Sequence, residues 1–561
     1  MIWVKINGIW VQSTPFVKSA NQWINSTVYS KKDFNWVGAK NVGLELFLNP
    51  DPISNSLKSS KFAVSVYDGQ SYLDAHVYSS IKQAWVSTDA TRNLWVSGSY
   101  PIINYLTFSI NNSTTAKVSK IGTSVTSIDV GPYNKNKNSN IQISNGEAYI
   151  PINKNDKLWV TINNEVSSPL FIFADEPFPT YAQATATFPT YNHVLIPTGI
   201  NFVSSLTATL PVTINSAEGY SNRLQVSSDT LIYVPRGAYL KGNFNISGCN
   251  NVKFMGQGIV SLENYDWWND FKEKSDSIKS HGTVFYSTNA STPNSYLDWR
   301  LSGNGCSGLT VINTPFYFNG EGALQSVENI KFISPWNYNT DGPRIGNFYY
   351  PTEGAKLLNS FIFNADDCSL PAVTQAFGNA LVSGCYFNSH HGGIFTNYFV
   401  NFNYTDYFYS AIDIDVRAYV PSENGIGAVF RLYCDTSLTA LPNSNYRGPT
   451  NLIFSGIRIE NDIGVPMFRI GNIGYPYEGG AGNRLGMLSS ITFTDITVSS
   501  TNSLVSSNII SGLNSTNEVK DVTFNNVKIN NVFLTDLNYD NYFDLVGSTD
   551  KVADNIDFNT T

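Results

Sequence analysis

The sequence predicts an all-β protein: an N-terminal antiparallel β-sandwich followed by a right-handed parallel β-helix. Three observations carry this. The apolar residues lean towards Ile, Val, Phe and Tyr, with only 4 Met, and they lie among many Asn, Ser, Thr and Gly. That composition favours strands and turns over helices. In the first third of the chain, short strands are separated by turn residues every ten or so positions. Beyond roughly residue 200 an apolar template recurs with no helical stretch between its copies.

Residues 1–30 are read as a short Trp-repeat hairpin segment. Val4-Lys5-Ile6-Asn7-Gly8-Ile9-Trp10 recurs thirteen residues later as Val17-Lys18-Ser19-Ala20-Asn21-Gln22-Trp23. Asn-Gly between alternating apolar residues is a hairpin signal. Residues 31–190 are read as the sandwich, with strands such as Phe62–Tyr67 and Lys157–Ile162. Pro177, Pro179, Pro189 and Pro197 mark a linker region.

Residues 191–561 are read as the β-helix. Its template is apolar-x-Phe-x-x-apolar-x-apolar. It fits Leu452–Ile459, Ile491–Val498 and Val522–Ile529, and looser copies begin at Val252, Leu309, Ile330, Leu357 and Leu381. From Leu309 onward the loose copies recur every 21 to 27 residues, one rung apart. A β-propeller would need four strands in each period of about 40–50 residues, which fits poorly. Stacked Asn side chains in the turns can bond along the ladder.

The totals exclude several functions. The net charge is −8, and the 35 Lys and Arg are scattered, so no basic stripe awaits a nucleic acid. A neutral polar partner such as a polysaccharide fits better. No apolar stretch of membrane-spanning length occurs. The five cysteines are far apart and are read as isolated buried thiols. The opening MIWVKINGIW lacks the basic and apolar regions of a Sec signal. Extracellular action would then follow lysis or assembly into a particle. No cofactor is expected.

The candidate site is acidic. Asp366-Asp367 follows the apolar run Phe361-Ile362-Phe363, and one rung earlier Trp336-Asn337-Tyr338-Asn339-Thr340-Asp341-Gly342 occupies the matching end. Adjacent rungs stack about 4.8 Å apart. Asp341 should therefore stand beside Asp366 or Asp367. Three crowded carboxylates raise at least one pKa, which leaves one protonated acid beside ionised neighbours. Glycosidic hydrolysis requires that pairing. The rings of Trp336 and Tyr338 suit stacking on a sugar. One rung later, His390 or His391 could orient an acid or bind a sugar hydroxyl. Three acids could also hold calcium, but no regular ligand ladder surrounds them.

These motifs resemble known families. Asn339-Thr340-Asp341-Gly342 followed by Asp366-Asp367-Cys368 is similar to the active-site motifs of glycoside hydrolase family 28, the polygalacturonases. The overall plan resembles family 49, the dextranases and isopullulanase. Pro169–Ala174, Val234–Gly242, Gly256–Ser261 and Phe468-Arg469-Ile470 are similar to segments of that family. Where family 49 tends to carry three acids in a row, this chain has Asp366-Asp367-Cys368. The resemblance implies an inverting hydrolase in which Asp341 and Asp367 activate water and Asp366 is the general acid. Arg469 is counted with the substrate-binding residues. The Arg-x-Lys with which polygalacturonases hold uronates has no match, since Arg431-Leu432-Tyr433 and Arg469-Ile470-Gly471 both lack the lysine. A neutral α-glucan is therefore the expected substrate. The Trp repeat resembles the ends of phage structural proteins. This implies particle attachment and a virus-encoded protein, or a tailspike-type protein that binds polysaccharide without cutting it. A pectin hydrolase is a further alternative.

Overall fold

The computed structural model describes residues 2–6, 9–13, 16–19, 22–25, 29–32, 35–38, 44–48, 55–80, 102–206, 213–214, 223–263, 284–286, 303–312, 324–335, 340–345, 355–368, 370–371, 378–389, 393–399, 407–418, 428–434, 451–461, 466–471, 488–499, 508–512, 518–545 and 553–560. The chain opens with three antiparallel hairpins: Ile2–Ile6 with Ile9–Ser13, Phe16–Ser19 with Gln22–Asn25, and Tyr29–Lys32 with Asn35–Gly38. The third extends the sequence repeat. Lys5, Lys18 and Lys31 stand in register opposite Trp10, Trp23 and Trp36.

Two sheets form a sandwich. One runs Tyr78–Ser79, Asn104–Ile110, Leu170–Asp175, Asp156–Ile162, Ile128–Gly131, with Leu46–Phe47 added beside Asn104–Ile110. The other runs Gln142–Ser144, Glu147–Ile152, Thr114–Lys120, Phe62–Tyr67, Tyr72–Ala75. Alternate residues of both, such as Val64, Val118, Phe108 and Ile172, close a shared core. Asn104–Ile110 and Leu170–Asp175 pair in parallel, an exception in an otherwise antiparallel unit. The Pro-rich stretch that follows holds a short helix, Tyr181–Thr187, with a Thr180–Gln183 capping box.

A parallel β-helix follows; among the described residues its main sheet has 22 strands, rung paired with rung in parallel apart from the antiparallel pair Lys528–Ile529 with Val532–Phe533. A second parallel ladder runs Phe395–Phe399, Phe430–Cys434, Phe468–Gly471, Asn508–Ser511, Phe543–Leu545. Template phenylalanines stack inside. Phe454, Phe493, Phe524 and Phe558 lie 5.1, 5.0 and 4.9 Å apart, nearly parallel. Phe395, Phe430 and Phe468 make a second stack at 5.1 and 5.0 Å. Each buried Phe contributes roughly 1.5–3 kcal/mol by leaving water.

The turn between paired strands repeats one left-handed position: Gly308, Asn329, Asn359, Gly384, Asp413, Gly456, Asp495 and Asn526. Only Gly, Asn and Asp enter that region readily, which explains the Asn-rich turns. Ladder bonds occur as well, for example from Asn555 Nδ2 to Asp521 Oδ1 at 2.8 Å.

The tight template copies are in register, with Phe454 opposite Phe493 and Phe493 opposite Phe524. The loose copies are not all equivalent. Leu309 and Ile330 precede the paired Thr310 and Lys331, but Lys331 pairs with Phe361, so Ile330 aligns with Ser360 rather than Leu357. Leu357 in turn pairs with Val382, one residue past Leu381. Any apolar pair can match so short a template, and the left-handed turn residue marks the register better.

Candidate active site

Phe361–Asn364 lies between Lys331–Ser334 and Tyr386–Ser389 and leads into the acid turn. Ile362 points into the β-helix core, while Phe361 and Phe363 pack against the sandwich. This is why three successive apolar residues are all buried. Asn364, fully buried, pins the acid turn. Its Nδ2 donates to the carbonyl oxygens of Thr340 at 3.0 Å and Asp367 at 2.9 Å, and its Oδ1 accepts from Cys368 Sγ at 2.9 Å.

The backbone explains how two adjacent acids share a face. The Asp366 N–H donates to Thr340 O at 3.1 Å, and the Gly342 N–H donates to Asp367 O at 2.8 Å. Two residues thus stand opposite one, Asp341, which is the count of a β-bulge. In a regular strand, neighbouring side chains point to opposite faces. With the extra residue, one carboxylate oxygen from each of Asp341, Asp366 and Asp367 lies within 4.8 Å of the others. Gly342 fits tightly beneath this turn, since a Cβ there would overlap the carbonyl oxygen of Cys368.

The environments of the acids differ. Asp367 Oδ1 accepts from the Gly393 N–H at 2.7 Å and Thr396 Oγ1 at 2.6 Å, and Arg431 Nη1 stands 3.5 Å away. Such donors suit a carboxylate anion. Asp366 is the reverse case. Burial, then the charges of Asp367 and Asp341, push its carboxyl well above the usual carboxylate range, and Arg431 offsets part of this. It keeps its proton where an ordinary carboxyl has lost it. Part of its surface stays accessible, as a donor to a substrate requires. A cation could touch all three oxygens, but calcium takes six to eight ligands, and no further His, Cys or acidic group joins the three among the described residues.

Cys368 does not enter the cluster. It lies in the β-helix core, and burial, then the nearby Asp367 charge, raises its thiol well above the usual range. It serves as a neutral partner of Asn364. Cys249, Cys306 and Cys385 are likewise free thiols, and the last two are buried.

Of the remaining expected residues, Arg469 is half-buried and pairs with Arg431, which pairs with Thr396, so the three step along one ladder from the acids. Trp336, Tyr338, His390 and His391 lie outside the described residues. The sequence reading missed Asn364, Gly393, Thr396 and Arg431 as partners of the acids. One signal was available for Arg431: Phe430-Arg431 and Phe468-Arg469 repeat the same apolar-basic step.

The chain aligns with a dextranase from Talaromyces minioluteus at 29% identity over 136 residues, which is 23% of this chain and 22% of the dextranase. Dex49A from Penicillium minioluteum superposes with a TM-score of 0.63 at 17% identity, covering 91% of this chain and 96% of that one. The chain has the fold of Dex49A. The suspected likeness to the dextranases and the expected fold class are both borne out. A family 28 exopolygalacturonase from Yersinia enterocolitica is more distant, with a TM-score of 0.33 at 11% identity over 83% of this chain and 98% of that one. No protein-family model matches the chain.

Proposed function

We propose that the protein is a glycoside hydrolase of the dextranase type that cleaves a neutral α-glucan through Asp341, Asp366 and Asp367. The observation that carries this is the triad itself: three carboxylate oxygens within 4.8 Å of one another on a fold shared with Dex49A. Asp366 is the general acid and protonates the leaving oxygen. Asp341 and Asp367 hold and deprotonate a water. Arg431, Thr396 and Gly393 keep Asp367 in place. A neutral substrate fits the missing Arg-x-Lys and the net charge of −8.

Inversion follows in this proposal from having two carboxylates left for one water once Asp366 is the acid. The spacing favours a second reading. Acid–base pairs stand about 6.5–9.5 Å apart in inverting enzymes and about 5–5.5 Å in retaining ones. The nearest oxygens of the three acids, within 4.8 Å of one another, lie closer to the shorter range than to the longer.

The test is reducing-sugar release from dextran, pullulan and polygalacturonate, with the product anomer followed by proton NMR in the first minutes. Release from an α-glucan with β-anomeric product supports the proposal. An α-anomeric product selects the retaining reading. Release from polygalacturonate alone refutes the neutral-glucan substrate, and no release from any of the three refutes the hydrolase.

A further inference from the structure

We infer that the N-terminal sandwich positions the acid triad: Phe171, Phe173 and Trp159 hold, through Phe361 and Phe363, the strand that delivers Asp366 and Asp367. The inference rests on the hydrolase reading for its consequence in rate, though not for its geometry.

The seam is aromatic at its centre. Phe171 lies 4.9 Å from Phe361 and 5.8 Å from Phe363, ring centre to ring centre. Phe173 lies 5.0 Å from Phe361, and Trp159 5.0 Å from Phe363. All five rings are fully or almost fully buried. Alternation in Leu170–Asp175 makes this possible. Leu170, Ile172 and Ala174 face the sandwich core, while Phe171 and Phe173 face the β-helix.

Polar contacts fasten the seam on both sides of the acid-bearing rung. One rung before, Lys331 pairs with Asp175, each only 1% exposed. Beyond the rung, Arg417 Nη2 bonds Asp129 Oδ2 at 2.8 Å, and the Tyr133 N–H donates to Glu460 Oε1. The strand that ends at the acid turn is therefore held by aromatic contacts along its own length and by polar contacts on both sides. From Phe363 to Asp366 the chain can reach no more than about 10 Å. Asn364 sits between them and grips both Thr340 O and Asp367 O. A shift of the Phe361–Phe363 strand has no flexible segment in which to dissipate, and a misplacement of about 1 Å at reacting groups can cost on the order of 100-fold in rate.

A sandwich that only adds stability would affect melting alone, and neighbouring residues on one strand separate the two roles. Phe171→Leu loosens the seam but keeps an apolar body. Ile172→Val perturbs the sandwich core from the same strand without touching the seam. In the full chain, Phe171→Leu is expected to lower kcat about 10-fold with KM within about 2-fold, and Ile172→Val to leave both unchanged although both variants melt earlier. The second readout needs no activity. The Asp366 carboxyl, followed by 13C NMR and assigned by its loss in Asp366→Asn, should titrate at lower pH in Phe171→Leu than in wild type, because water reaches it more easily. In Ile172→Val it should titrate as in wild type. Unchanged titration of Asp366 in Phe171→Leu, or an equal shift in Ile172→Val, overturns the inference. An inactive wild type overturns the hydrolase reading instead, and the titration still decides the positioning role.

Discussion

Glu460 gives a prediction whose size can be worked out from the seam. Its side chain accepts from the Tyr133 N–H of the sandwich and is 8% exposed. Burial raises its carboxyl from 4.5 to about 7, opposed by the Tyr133 N–H and Arg417 and aided by Asp415 and Asp129. The folded protein keeps a proton that the unfolded chain gives up between pH 4.5 and 7. It binds more protons than the unfolded chain across that window, so stability falls as pH rises through it. The contribution is complete below 4.5 and gone above 7. At about 1.4 kcal/mol for each pH unit, the change amounts to about 3 kcal/mol. Glu460→Gln keeps an acceptor for Tyr133 but cannot ionise. Urea unfolding of wild type and variant at pH 4, 6 and 8, read by circular dichroism, measures the difference. The variant should gain on wild type by about 3 kcal/mol between the lowest and highest pH. A difference that does not change with pH would refute the reasoning. A variant that loses ground at pH 8 would mean that attraction to Arg417 outweighs burial.

Further outcomes follow from the triad. Activity should fall on the alkaline side as Asp366 loses its proton, and Arg431→Met should move that limb of the kcat/KM profile to higher pH, because Arg431 lowers the Asp366 pKa. Thr396→Val keeps the shape but removes the 2.6 Å donor to Asp367. It should lower kcat by roughly 10- to 150-fold, corresponding to the roughly 1.5–3 kcal/mol of a hydrogen bond to a charged group, with little change in KM. Gly342→Ala forces the acid turn away from Cys368 O, and both Tm and kcat should drop, kcat by about 10-fold or more.

Much of this was legible in the sequence, for identifiable reasons. The template Phe residues mark rungs because stacked rings fill a repeating core, and Phe454, Phe493 and Phe524 do stack. Asp341 could be set beside Asp366-Asp367 because both follow strands that pair directly. Three things were hidden. The bulge that puts Asp366 and Asp367 on one face is a backbone event with no residue signature. The donors to Asp367 come from Gly393, Thr396 and Arg431, far along the chain and on a different ladder. Phe361 and Phe363 look like core residues of the β-helix, yet they face outward to a separate unit. A run buried on both faces carries no mark of which neighbour covers each side.

Reducing-end release by Asp366→Asn against wild type, on whichever glucan the wild type cuts fastest, tests the central claim most directly. Asn matches the shape of the acid but has no proton to give the leaving oxygen. The expected loss in kcat is at least about 100-fold, with wild-type melting or better, since a carboxyl crowded by two others is removed. A variant that cuts the glucan at the wild-type rate would contradict it.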